Sequence, residues 1–355
     1  MMLRVEKLRE AMKKENVDGF LVTSPYNLRY LTNFTGTTGL AVITLDKAFF
    51  VTDFRYTEQA AAQAQGYEIV KNTGPILEEV ATLCAKEEIN ALAFEESHVS
   101  FAEYSVLEEI IEETDLIPVS GLIENLREVK DEDEIALIQQ ACHIADQGFD
   151  HILKMIRPGM TEIEVANQLD FFMRSLGATS VSFDTIVASG LRSAMPHGVA
   201  SDKVIEQGDL ITLDFGCYYK GYVSDMTRTF AVGDPGEKLK EIYQVVLEAQ
   251  LKVIEAAKPG MSGIQLDAVA RDHIAAAGYG EAFGHSTGHG IGLEIHEGPN
   301  VSFRAEKQFV PGNVITDEPG IYLPGIGGVR IEDDLLITSE GNTVLTHSPK
   351  ELIIL

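Results

Sequence analysis

The sequence has no tryptophan and only three cysteines, Cys84, Cys142 and Cys217. Their odd number, wide separation and lack of any CxxC spacing argue against a disulfide framework and fit a reducing cytoplasm. Positive charge is also scarce, with 28 Lys and Arg against 55 Asp and Glu, a net charge of -27. Such a chain has no basic footprint for a phosphate backbone, which excludes nucleic acid as a partner. No apolar run reaches the roughly 18 residues that a membrane-crossing helix needs. The charged, amphipathic N-terminus lacks the apolar core of a secretion signal. The expectation is a cytoplasmic protein with neither a membrane nor a nucleic-acid partner. At 355 residues the length suggests about two domains.

Histidine, by contrast, is concentrated. Residues 284–299 read GHSTGHGIGLEIHEGP and hold three of the nine histidines, His285, His289 and His296, among glycines at 284, 288, 290 and 292. Imidazole ligates metals and moves protons near neutral pH, and glycine permits close backbone approach. The stretch reads as half of an active site.

In the first third of the chain, helix and strand patterns alternate. The spacing of apolar residues predicts helices over 3–15, 54–65, 76–88 and 101–111. Extended segments are predicted over 20–23, 67–70 and 91–94, with a hairpin over 40–52 turning at Asp46 and Lys47. This is an α/β domain, and it offers no convincing catalytic set. A second domain opens with a helix over 132–155 that stops at Pro158-Gly159. Thr161 and Glu164 form a capping box for the next helix, which Gly177 closes. The junction IRPGMT at 156–161 returns as AKPGMS at 257–262, and at the same spacing Ile163 matches Ile264 and Gly177 matches Gly278. Two copies of helix–PG–helix imply two half-domains related by a pseudo-twofold axis.

Each copy is followed by an apolar hairpin bearing acids. A turn around Tyr219-Lys220 sets Asp214 opposite Asp225, and a turn around Gly325 sets Glu318 opposite Glu332. Opposed side chains lie about 4.5–5.5 Å apart at Cβ, so like charges there call for a cation between them. Thr212 and Thr316 share the faces of the acids, and Arg330 shares that of Glu332. Four carboxylates and one imidazole suit two divalent metal ions. The mostly oxygen donor set favours Mn²⁺, and Co²⁺, Zn²⁺ and Fe²⁺ also satisfy it.

These residues resemble the pita-bread metallopeptidase family of aminopeptidase P, prolidase and methionine aminopeptidase. The resemblance is strong over about 132–355, and the first domain is similar to the creatinase/prolidase N-domain. It implies an α/β (α+β) fold, with a creatinase/prolidase-like α/β domain over 1–128 and a pseudo-twofold pita-bread catalytic domain over 129–355. It implies Asp214, Asp225, His289, Glu318 and Glu332 as metal ligands, with Asp225 and Glu332 as bridges. It further implies that His296 contacts the scissile carbonyl, Glu318 passes a proton, and His197 in Met-Pro-His-Gly assists at the leaving nitrogen. His285 would line a proline pocket, with Phe183 as a wall beside it, and Arg330 would lie near metals and substrate. The implied activity is hydrolysis of the bond between an N-terminal residue and a following proline, on peptides with proline in the second position, by a homodimer. Asn300 stands where some dipeptidase relatives carry arginine, which tilts the expectation toward aminopeptidase P over an Xaa-Pro dipeptidase, although Arg304 is near enough in sequence to compensate. A catalytically inactive binding protein is a remote alternative, because all five ligands are present. Asp317 stands where relatives often carry an apolar residue, and strand alternation turns it away from the metals toward a basic group behind the sheet.

Overall fold

The computed structural model describes residues 2–355. The chain divides into two compact units, the first ending at Arg127 and the second spanning Glu128–Leu355.

The first unit is built on a six-stranded sheet. In spatial order its strands are Glu68–Lys71, Ala48–Thr52, Leu40–Thr44, Gly19–Val22, Ala91–Glu95 and Asp115–Val119. The two pairings made by Leu40–Thr44 are antiparallel, and the other three are parallel. Three of the four inner strands, Gly19–Val22, Leu40–Thr44 and Ala48–Thr52, are buried along their whole length, as expected where both faces of a sheet are covered. The helix Met2–Glu15 buries Val5, Leu8 and Met12, a helical spacing that lays one stripe on the core. Three elements go beyond the sequence reading, among them the short helix Glu124–Arg127. Pro25–Thr32 is a helix whose N-cap, Ser24, accepts from the Asn27 N–H, and Asp115–Val119 is an edge strand. The helix expected from residue 54 begins at Thr57, because the Asp53 carboxylate accepts from the Arg55 N–H and holds a turn there.

The second unit holds the repeat. The helix pairs Glu132–Met155 with Glu162–Ser175 and Glu237–Ala256 with Gly263–Ala276 are each joined through the Pro-Gly-Met junction. Both second helices open on a capping box, Thr161 with Glu164 and Ser262 with Gln265. Each pair covers its own core. Phe149, Leu169, Leu213 and Phe230 pack in the first half, and Val246, Leu266, Ile315 and Leu335 pack in the second.

The acids ride on two antiparallel ribbons, and both ribbons change sheets partway. The first pairs Asp209–Phe215 with Met226–Val232 beside Ile186–Ser189, and beyond Gly216 it joins a different small sheet. The second pairs Val314–Asp317 with Asp333–Ile337 in a five-stranded sheet, then continues as Gly320–Leu323 with Gly327–Arg330 in a two-stranded one. In the second ribbon both ladders keep one register, so Glu318 falls opposite Glu332, as the Gly325 turn requires. The first ribbon departs from expectation: Asp214 faces Thr227, not Asp225. Its turn is Lys220-Gly221, with φ of 49° and 92°, the left-handed pair that tight hairpins favour. Moving the turn by one residue moves the pairing by two. The face is therefore kept, and both acids still point to one side.

Candidate metal centre

A cavity of about 380 Å³ in the second unit is lined by Asp214, Asp225, His289, Glu318 and Glu332, together with His197, His285, His296, Arg330 and Phe183. Every site residue expected from the sequence thus meets in one place. Arg304 is not among the lining residues; it is exposed, with its guanidinium over the Phe303 ring.

Ligand atoms of Asp225, His289 and Glu332 all lie within 4.8 Å of one another. His289 Nε2 is 3.6 Å from Asp225 Oδ2 and 3.5 Å from Glu318 Oε1. The other ring nitrogen, Nδ1, donates to the Gly290 carbonyl at 3.1 Å. That bond places the proton on Nδ1 and turns the Nε2 lone pair toward the carboxylates, the arrangement a ligating histidine uses. Threonines orient the acids. Thr227 donates to Glu332 Oε2 at 2.6 Å, and Thr316 lies 3.4 Å from Glu318 Oε1 while accepting from the His289 N–H at 3.1 Å. Thr212 pairs with Thr229 instead of an acid.

Buried acids this close oppose one another's ionisation. Burial, then Glu332 and Asp214, push the Asp225 carboxyl well above its ordinary range. Burial, then Glu318 and Asp214, do the same to Glu332. Burial pushes Glu318 up to about 8. Arg330 is the one cation among the lining residues, and its Nη2 is 2.5 Å from Asp214 Oδ2. Asp214 Oδ1 is buried without a hydrogen-bond partner among the described residues. An unsatisfied buried carboxylate oxygen is costly. Four acids, one countercharge, an orphaned oxygen and an imidazole pushed down to about 4 by burial and by His296 make a donor set that fits divalent ions.

The histidines separate by their partners. His296 is tilted edge-on to His289, with ring centres 4.3 Å apart, and burial lowers its pKa. His285 has both ring nitrogens engaged. Arg330 Nη1 donates to the Tyr322 hydroxyl at 2.7 Å, so that hydroxyl gives its own proton to His285 Nε2 at 2.8 Å. His285 Nδ1 then donates to the Ser286 carbonyl at 2.8 Å. With no nitrogen left over, His285 serves as a wall.

Tyr322 is a site residue that sequence reasoning missed. Its signal was the glycine facing it, since a Cβ at Gly320 would lie 2.5 Å from the Tyr322 hydroxyl. Arg228 was missed as well. It is buried behind the ribbons, donating to Ser348 O, Thr227 O and Glu332 O and pairing with Asp333 at 2.7 Å. Asp317 is fully buried, as strand alternation predicts, but the pairing expected behind the sheet is taken by its neighbour. Lys350 bonds Asp333 at 2.7 Å, and neither Asp317 oxygen has a hydrogen-bond partner among the described residues.

Residues 136–339 match the model of metallopeptidase family M24, and residues 4–129 match that of the Creatinase/Prolidase N-terminal domain. The chain belongs to metallopeptidase family M24. It is a metal-dependent hydrolase of mixed α/β fold, with a creatinase-like N-terminal domain. The solved structure of an Xaa-Pro dipeptidase from Bacillus anthracis is 58% identical, with a TM-score of 0.98 over 100% of this chain and 99% of that one. An Xaa-Pro dipeptidase from Pyrococcus horikoshii is 43% identical over 99% of this M24 chain and 98% of its own. An X-Pro aminopeptidase from Thermotoga maritima is 40% identical, with a TM-score of 0.92 over 98% of this chain and 100% of that one. Among the described residues no helix is long and apolar enough to cross a membrane.

Proposed function

We propose that this M24 peptidase hydrolyses Xaa-Pro dipeptides. Full-length likeness to the Xaa-Pro dipeptidases, at 58% and 43% identity, carries this reading. It reverses the tilt toward aminopeptidase P drawn from Asn300, because that one position weighs less than agreement along the whole chain. The division of labour places the creatinase-like domain at 1–128 and catalysis at 129–355, in a cytoplasmic homodimer.

In this reading Asp214, Asp225, His289, Glu318 and Glu332 would hold two divalent ions, Mn²⁺ by preference for oxygen donors. When bound, such ions polarise a carbonyl and acidify water. The rest falls to the chain. Phe183 and the fully bonded His285 wall the proline ring. His296, neutral at pH 7, donates to the oxygen of the scissile carbonyl as charge grows there. Glu318 takes a proton from the attacking water. As the C–N bond breaks, the proton that Glu318 took from water passes to the leaving proline nitrogen, with His197 assisting the transfer. Arg330, fixed by Asp214 and Tyr322, steadies the negative charge beside them.

The test compares metal-loaded enzyme on an Xaa-Pro dipeptide and the matching Xaa-Pro-Yaa tripeptide. Faster release from the dipeptide is expected. Tripeptide-only turnover would restore the aminopeptidase P reading, and no turnover of either would remove both.

A further inference from the structure

His197 is the least anchored of the site residues. It is exposed, and its ring makes no hydrogen bond to the described residues. Its place in the cavity is therefore set by the backbone of residues 189–201. That segment leaves the strand Ile186–Ser189, makes the short 3-10 turn Gly190–Ala194 and brings Pro196, His197 and Val199 to the cavity wall.

Both ends of the segment close on one side chain. Glu162, at the start of the helix Glu162–Ser175, has no exposed side-chain surface. Its Oε1 accepts from the N–H and the hydroxyl of Ser189, each at 2.8 Å. Its Oε2 accepts from the N–H of Ser201 at 3.1 Å and the Ser201 hydroxyl at 2.6 Å. Arg192, inside the segment, also bonds Oε2 and reaches across to the Val199 carbonyl at 2.9 Å. Hydrogen bonds to an ionised acceptor are roughly twice as strong as neutral ones, and a buried network with every member satisfied favours one geometry.

The other half of the repeat is built alike. Asp267, buried on the corresponding helix Gly263–Ala276, accepts from the N–H of Thr287 at 3.1 Å and its hydroxyl at 2.8 Å, and it pairs with Arg271 at 2.7 Å. Thr287 lies between His285 and His289, and its carbonyl accepts from the Glu318 N–H at 2.8 Å. Each half thus uses a helix carboxylate to grip the N–H and hydroxyl of Ser or Thr in a segment that carries site residues, Ser189 and Ser201 in the first half and Thr287 in the second.

We propose that Glu162 is a positioning residue for the reaction, clamping both ends of segment 189–201 so that His197 keeps its place in the cavity. This rests on the role given to His197 above. The experiment is a double-mutant cycle of Glu162→Gln with His197→Ala, assayed on an Xaa-Pro dipeptide. With His197 present, Glu162→Gln is expected to lower kcat by roughly 10²-fold, the scale of a misplacement near 1 Å. Little change in KM and an unchanged metal content are expected beside it. In the His197→Ala background the same change is expected to cost under about twofold, since Glu162 acts on the reaction through the placement of His197. Histidine-ring NMR is expected to show the His197 signals broadened or doubled in Glu162→Gln. Should that variant fail to fold, Ser201→Ala removes the hydroxyl bond at one end while keeping the N–H bond, and it is expected to show the same non-additivity at smaller size. Equal losses in both backgrounds, or no loss at all, would overturn the proposal. An undiminished His197→Ala enzyme would overturn it too, while leaving dipeptide hydrolysis itself intact.

Discussion

The Tyr322 hydroxyl accepts a hydrogen bond from Arg330 Nη1 and donates one to Nε2 of His285. One phenol therefore fixes both the tautomer of a pocket wall and the aim of the cavity's cation. Tyr322→Phe strands a buried guanidinium N–H and an imidazole nitrogen. The expected loss is about 1–3 kcal/mol of stability, read from the denaturant midpoint. A higher KM for Xaa-Pro substrates is expected with it, because Arg330 and His285 lose their reference point together.

Arg228 joins the two ribbons from behind. It bonds the carbonyls of Thr227 and Glu332 and pairs with Asp333, with side-chain exposures of 1% and 0% for the pair. Removing Arg228 leaves buried Asp333 with Lys350 as its remaining cation and takes the shared donor from the Thr227, Glu332 and Ser348 carbonyls. Arg228→Met is expected to cost about 3–5 kcal/mol, measured by chemical denaturation. The double variant Arg228→Met with Asp333→Leu is expected to recover part of that loss.

The second ribbon was legible in the sequence because its turn is marked by Pro324, Gly325 and a symmetric spacing of acids. The first was misplaced by one residue. Lys220-Gly221 carries the left-handed dihedrals, and a glycine second in a two-residue turn is the sign to follow. The ligand-type residues were legible because each is a chemically distinctive side chain in a short pattern. Glu162, Asp267, Arg228 and Tyr322 were not. Each acts through partners far away in the chain, such as Ser201 for Glu162 and Ser348 for Arg228, and a single Glu or Arg carries no local signature. The strand Asp115–Val119 was hidden by Pro118, which an edge strand tolerates.

Chelation provides another check. Without ions, Asp225, Glu318 and Glu332 face one another with Arg330 as the cavity's cation. An ion held at 100 times its dissociation constant stabilises the fold by about 2.7 kcal/mol per site. Dialysis against a chelator is expected to lower the melting temperature of the catalytic unit and to abolish turnover. Added Mn²⁺ is expected to restore both, as followed by calorimetry and assay.

The thiols are expected to stay silent. All three are buried. Burial pushes Cys84 up to about 11 and Cys217 up to about 12, and it raises Cys142 well above the ordinary thiol range. A raised pKa keeps the proton on sulfur, and the thiolate is the reactive form. Native protein held at pH 8.5 with iodoacetamide should gain no mass, whereas denatured protein should gain three adducts.

Three of the acids, Asp225, Glu318 and Glu332, sit in the gaps where the ribbons leave one sheet for another. Such gaps are joints: strand pairing stops there for a residue or two, and the ladder lends no stiffness. In the proposed metal-loaded form, ions gripped at these joints act as rivets. The filled protein then resists bending where the peptide must be held, and the emptied one gives way there first. In hydrogen-exchange terms, amides at 224–225, 318–319 and 331–332 are expected to lose protection on metal removal before the strands on either side do.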